Sequence, residues 1–348
     1  MGEAQVRARI GWMDEVRALG ACAIVVLHVF VSTNLAMDLS PARQLAYDIV
    51  GIVCCRWVVP GFFMVSGALM LDPGREMGWD RVWRHVRRML LVIGIFGATF
   101  ACMEEVWVRL RDGLDIGWGV GLLVLRDVLT MQTWDHLWFV YALAGVYLLV
   151  PAMRFVRAKF GERGHAVLTL ALFIGFLVVP TLMGGPPTFG PFSSLLWNVA
   201  AGCACFCVGS CLRTWDLSAA WQALGVGSVV IMVVVSMAGI GAGLGDRGFI
   251  FLQNSCFACI YAVFILMLVR HVVGPEPLAK DGLMQRLARD SFGVYLVHPL
   301  FIHVGLMVLG PEQLVPVVYE LGFSLAVLVA SLATTRMLRR IPFLDALL

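Results

Sequence analysis

Apolar residues in this chain come in long runs. Stretches of about 17–25 residues with few charges recur along the length, which matches the thickness of a bilayer's hydrocarbon core at the α-helical rise. They predict ten spanning helices, at 18–37, 49–71, 89–108, 137–153, 166–183, 195–212, 223–243, 249–269, 291–309 and 314–335. The connectors are short, and neither a solenoid-type repeat nor a linker divides the chain. The expected fold is therefore all-α: one polytopic integral-membrane domain over 1–348, a bundle of about ten transmembrane helices. The first run follows Asp14, Glu15 and Arg17 and lacks a small-residue cleavage site, so it reads as a retained helix.

Composition agrees: 60% of residues are hydrophobic and 14% charged, too little polar surface for a soluble domain. Lysine and arginine set the orientation, because cytoplasmic loops accumulate them. With the N-terminus inside, 20 of the 26 fall in inner segments; the outer loops hold Arg43, Arg109, Arg111, Arg126 and Arg247, and Arg56 lies within a span. Both termini are expected to be cytoplasmic. The net charge of +3 is mostly this topology signal and gives no argument for nucleic acid. Cys203, Cys207 and Cys211 form an i, i+4 stripe beside Cys205, but without histidines or a second ligand pair they read as small packing residues and not as a metal site.

Three connectors carry chemistry of their own. "DPGREMGWDRVWRHVRR", 72–88, holds five arginines, and Arg84, Arg87 and Arg88 share one helix face at i, i+3, i+4. Positive-inside anchoring explains them, and so would a phosphate site, since guanidinium forks match phosphate oxygens. In the outer loop 109–136, "GWGVGLLVLRDVLTM" is apolar but too short to span, which suits an interfacial or re-entrant helix. It leads into "TWDHLWFVYAL", where Trp134, His136, Trp138 and Tyr141 form either an aromatic belt or a stacking platform for a sugar. "MGGPPTFGPF", 183–192, is too rich in glycine and proline for a helix, and reads equally as a connector or a cover over an outer cavity.

Titratable groups inside spans are costly and usually face a cavity or a partner. In "VRALGACAIVVLHVF", Arg17 and His28 are eleven residues apart, close to three turns, so they project from one face about 16 Å apart along the axis. That face should line a cavity open to the cytoplasm. Arg56 is placed in the outer half of the second span, about 10 Å from the surface, where it either snorkels outward or holds a developing negative charge. In "RDSFGVYLVHPLF", Ser291, Tyr295 and His298 share a face at i, i+4, i+7. An imidazole at mid-membrane can take a proton from a hydroxyl and so activate an alcohol against an acyl carbonyl. An arginine cluster on the cytoplasmic side would dock a phosphorylated acyl carrier. A proton-coupled transporter of a sugar or acylated product could use the same histidine.

These residues resemble the membrane-bound acyltransferase family 3. "WMDEVRALGACAIVVLH" is similar to the family's first helix, with Arg17 and His28 at its spacing of Arg, ten residues, His. "RWVVPGFFMVSGALML" resembles the second helix, with Arg56, Pro60, Phe62, Phe63, Ser66 and Gly67 in place, and "WRHVRRML" the arginine motif that follows. "HLWFVYALAGVYLLVPAMR" and "SFGVYLVHPLF" match two further segments, in order, while 166–270 matches only in hydropathy. The likeness is to stand-alone O-acetyltransferases that decorate surface polysaccharides, and no hydrolase domain of the kind found in two-domain members follows the last span.

The resemblance implies transfer of an acyl group, usually acetyl, from acetyl-CoA to a hydroxyl of a cell-envelope glycan or lipid-linked sugar, in a bacterial inner membrane. It makes His28 the essential histidine, with Arg17 as its motif partner, and assigns the acyl-CoA donor to Arg84, Arg87 and Arg88. Arg56 is then a candidate for oxyanion stabilisation, and His136, Trp138, Tyr141, Tyr295 and His298 for contact with the acceptor. Acetyl-CoA enters as a donor substrate, with no permanently bound cofactor expected. A transporter would show repeat symmetry and broken helices, and a non-catalytic scaffold would make His28 dispensable.

Overall fold

The computed structural model describes residues 10–37, 40–186, 190–241, 254–280, 282–314 and 317–348. Among them every regular element is helical. Part of the 183–192 connector, Arg247 and the first residues of the span expected at 249–269 lie outside the described residues.

Helix α1 covers Gly11–Leu35, and α2 (Pro41–Val50) runs through a π-helical segment, Gly51–Cys55, toward α3 (Val58–Met70). A second long stretch joins α4 (Trp79–Val92), a π-helical segment at Ile93–Gly97 and α5 (Ala98–Asp112). Then come α6 (Gly119–Thr130), α7 (Trp138–Phe173), a third π-helical segment at Ile174–Val178, and α8 (Val179–Leu182). The chain continues with α9 (Pro191–Cys211), α10 (Ala219–Gly241), α11 (Cys256–Val273), α12 (Leu283–Leu309), α13 (Val317–Leu338) and α14 (Pro342–Asp345). Nine stretches among the described residues are long and apolar enough to cross a membrane. One of them, Asp135–Leu182, is 48 residues long, which at the helical rise is about 72 Å, twice what a crossing needs. It breaks at Gly161, whose φ of 66° and ψ of −164° leave the helical region in a conformation that costs a residue with a Cβ. The two halves fall where spans 137–153 and 166–183 are expected.

Two boundaries differ from the hydropathy pattern. The second spanning stretch begins at Pro41 and not at 49, because Ser40 caps the helix by accepting from the Arg43 N–H and Pro41 starts it without needing a donor. Arg56 consequently sits midway along the 30 residues Pro41–Met70, about 22 Å from either end, too deep to snorkel. The arginine-rich segment is likewise helical from Trp79, with Val82, Val86 and Met89 buried on one face. Helix α6 matches the apolar segment too short to span: twelve residues, about 18 Å, with Leu122, Leu125 and Leu129 exposed.

The chain divides into two compact units, the first built from the described residues up to Val65 and from Cys211 to Ala346 with Leu348, the second from Ser66 to Ser210 with Leu347. In the first, α1 packs on α12, α13 and α11. Ala18 is buried with Leu287 and Ala288, and Cys22, Met284 and Leu332 close round them. The start of α1 is tied to the turn after α11, which accepts its orphan donors: Gly11 N–H bonds Pro275 O at 3.3 Å and Trp12 N–H bonds Gly274 O at 3.1 Å.

In the second unit, α4 packs on α7 and α5 on α6. Gly67 of α3 lies so close to α9 that a Cβ would overlap the backbone of Phe206. Small residues permit such approaches in a membrane, where close van der Waals packing replaces the hydrophobic effect between helices. The backbone of a helix cannot swing aside as a side chain can. Gly67→Val is therefore expected to cost about 1–3 kcal/mol. Thermal unfolding of the detergent-solubilised protein would show the loss, with Gly117→Ala, where a Cβ meets nothing within 4 Å, as the neutral control.

Candidate functional site: a histidine pair between two membrane helices

Helix α1 packs along α12, and at mid-helix a hydrogen bond joins His28 to His298 across that seam. Their Nδ1 and Nε2 atoms are 2.7 Å apart. The ring planes differ by 17° and the centroids lie 4.9 Å apart. The centroids are thus 2.2 Å further apart than the bonded nitrogens, equal to twice the centre-to-nitrogen distance of an imidazole. The rings therefore meet edge to edge in nearly one plane, the geometry of an N–H···N hydrogen bond and not of a face-to-face stack.

The partners differ in access. His298 is fully buried, while His28 keeps part of its surface. One turn back on α12, the carbonyls of Tyr295 and Val294 lie 2.8 and 3.1 Å from His298 Nδ1. The Tyr295 ring is buried with its centroid 6.2 Å from that of His298, while Ser291, on the same face, donates to the Ala288 carbonyl. The structure thus brings together His28, Tyr295 and His298, which sequence places in segments 270 residues apart.

Arg17 and Arg56 belong to the same unit. Arg17 is part-exposed near the start of α1 and pairs with buried Asp14 at 3.4 Å. Arg56 follows the π-helical segment, where Cys55 Sγ donates to Ala23 O and the Phe62 ring sits against Gly20. This antiparallel register sets Arg56 about 9 Å from His28 along α1, toward its N-terminal end. Its Nε is buried with no hydrogen-bond partner, and Tyr47 and Asp48 are its electrostatic neighbours. An unsatisfied guanidinium N–H deep in a bundle is costly, and a bound anionic or carbonyl oxygen would relieve it.

The other expected residues lie in the second unit. Arg84 and Arg87 are exposed on α4, opposite its buried face, whereas the Arg88 Nε donates to the Leu347 carbonyl at 2.9 Å. His136 is buried, its ring edge-on to Phe100 at 5.6 Å, and Trp134 stacks flat on Phe100 at 4.5 Å. Trp138 is part-exposed, and the Tyr141 hydroxyl donates to Val128 O at 2.8 Å.

Three residues that organise these regions escape the sequence reading. Arg154, in the quoted "VPAMR", donates to the carbonyls of Met70, Asp72 and Arg75, and Arg157 adds Leu71, so the turn leading into α4 is held by two guanidinium groups. Asp290 stands directly before the quoted "SFGVYLVHPLF" and is fully buried, with Arg289, Arg336 and Arg339 at 3.1–3.4 Å. An acid directly before the start of an apolar span was the available signal. Arg154→Ala would strip three carbonyls of their donor. Tryptic cleavage after Arg75 should then accelerate several-fold in solubilised protein, followed by mass spectrometry of the fragments.

A bundle of apolar helices with a histidine pair on its inner seam defines a multi-pass integral-membrane protein with a titratable site among its helices. The chain belongs to acyltransferase family 3: the model of that acyltransferase domain matches residues 10–336. It is thereby a membrane acyltransferase. Comparison with curated proteins and with solved structures returns no match.

Proposed function

We propose that this acyltransferase moves an acetyl group from acetyl-CoA to a hydroxyl of a cell-envelope glycan or lipid-linked sugar, with His28 as the general base. The observation that carries the reading is the pair itself: an imidazole with residual access inside a membrane helix, held in plane by a second imidazole that is sealed. An imidazole so held is oriented for one proton transfer, where a free one would rotate.

In the reaction, the acceptor hydroxyl oxygen bonds to the thioester carbonyl carbon while His28 takes the hydroxyl proton. The tetrahedral intermediate then expels the CoA thiolate, which recovers the proton from His28, leaving an acetyl ester and CoA. Arg56, with an unpaired buried N–H, is the candidate to hold the oxyanion. Arg84 and Arg87, exposed and at helical spacing, are suited to the donor's phosphates, with Arg88 sharing its guanidinium with a backbone carbonyl. In this reading both termini and this cluster face the cytoplasm across a bacterial inner membrane, on the side where CoA thioesters are made, and the excess of lysine and arginine in those segments supports it. Acceptor contacts are assigned to the part-exposed Trp138 and Tyr141, and Arg17 orients the entrance of α1 through Asp14.

Membranes containing the wild-type chain should pass label from radioactive acetyl-CoA to the organism's glycan fraction. His28→Ala at equal expression should lose about 10²–10⁴-fold of that rate. Equal labelling by the two would remove His28 from the mechanism. Arg84→Ala with Arg87→Ala should raise the KM for acetyl-CoA several-fold and leave kcat within about twofold, since phosphate contacts are made equally in ground and transition states.

A further inference from the structure

We infer that His298 is the positioning residue that sets the tautomer of His28, holding its proton on Nδ1 and leaving its lone pair on Nε2. The polarity of the bond is set at the far end of the pair. His298 Nδ1 lies 2.8 Å from Tyr295 O and 3.1 Å from Val294 O, and a carbonyl oxygen only accepts, so that nitrogen carries a hydrogen. A neutral imidazole carries one N–H, so His298 Nε2 holds a lone pair. His28 Nδ1 stands 2.7 Å from this lone pair and must donate to it. With its own single N–H thus committed, His28 keeps its lone pair on Nε2.

The near-coplanar, edge-to-edge rings direct that lone pair along the shared axis, as the assignment requires. The opposite polarity would need a doubly protonated His298, a cation at zero exposure within a membrane helix, which is the costlier state. The backbone of α12 therefore dictates the protonation pattern of a side chain on α1 through one intervening ring. His298 itself is sealed from any substrate, so it acts through His28. A base presenting N–H to the acceptor hydroxyl cannot take its proton; one presenting a lone pair can. The catalytic consequence rests on the proposed role of His28, but the tautomer does not.

Solid-state NMR of the full chain in lipid vesicles, with ¹⁵N-labelled histidine, reads the tautomer directly. Seven histidines contribute, and the His28 signals are those lost in His28→Gln. In wild type they should show Nδ1 protonated and Nε2 bare; protonated Nε2 would overturn the inference without reference to activity or to any His298 variant. His298→Gln supplies a carbonyl oxygen that can accept from His28 and should keep the tautomer, whereas His298→Phe cannot accept and should release it. In acetyl transfer, kcat should fall about 10²-fold or more in His298→Phe, with KM for acetyl-CoA within twofold, and should recover to within tenfold of wild type in His298→Gln. A His298→Phe protein with unchanged tautomer and unchanged kcat would sink the proposal while leaving the His28 base intact. Full activity in His28→Ala would instead remove the base assignment, and the wild-type spectrum would still decide the tautomer.

Discussion

Hydrocarbon offers no partner to a polar group, and nearly every feature of this protein that is not simply apolar answers that constraint. The His28–His298 bond is its central instance. Each ring alone would leave nitrogen atoms unsatisfied at mid-helix, and the two together end on a backbone carbonyl that the α12 helix already presents. About 15 Å back along the same α1–α12 seam, Ala18 packs against Leu287 and Ala288, and this close packing sets the register in which the rings meet. The bond is thus a consequence of the seam, and the seam holds it to one geometry.

The same constraint accounts for the arginines and acids at the helix ends. Arg154 and Arg157 gather the carbonyls of a turn that has no ladder of its own, and Asp290 collects three guanidinium groups on a fully buried carboxylate. Removing one partner from such a buried set leaves the others uncompensated, which costs more than the pair contributes while intact. Elsewhere Asp48 bonds buried Ser236, and Glu320 bonds Arg43 at 2.9 Å, so acids on two further helices are likewise paired. Arg56 departs from this pattern. Its buried Nε has no hydrogen-bond partner, and, unlike Arg43 and Arg339, it forms no ion pair with a carboxylate among the described residues, which is the physical ground for proposing it a place in the chemistry.

Membership of an acyltransferase family and a paired histidine explain different things. Family membership states the class of reaction. The geometry shows one part-exposed imidazole bonded in plane to a fully buried one. On the proposed role of His28, access and orientation are then divided between the two rings.

Much of the architecture was legible in the residues because hydropathy is additive and local: run length finds the spans, and the break at Gly161 falls between two of them as expected. The polar start of α2 was missed because a hydropathy window averages over "PARQLAYD", although Ser40 and Pro41 carried the capping signal. Eleven-residue spacing placed Arg17 and His28 on one face of α1, and i, i+4, i+7 spacing placed Ser291, Tyr295 and His298 on one face of α12. That His298 turns to His28 and that Arg88 turns to the Leu347 carbonyl were decided only by the tertiary structure. The physical reason is range: helical periodicity acts over a few residues of one segment, whereas a hydrogen bond between residues 28 and 298 depends on which two helices pack and at what register, and that is settled by side chains along the whole seam.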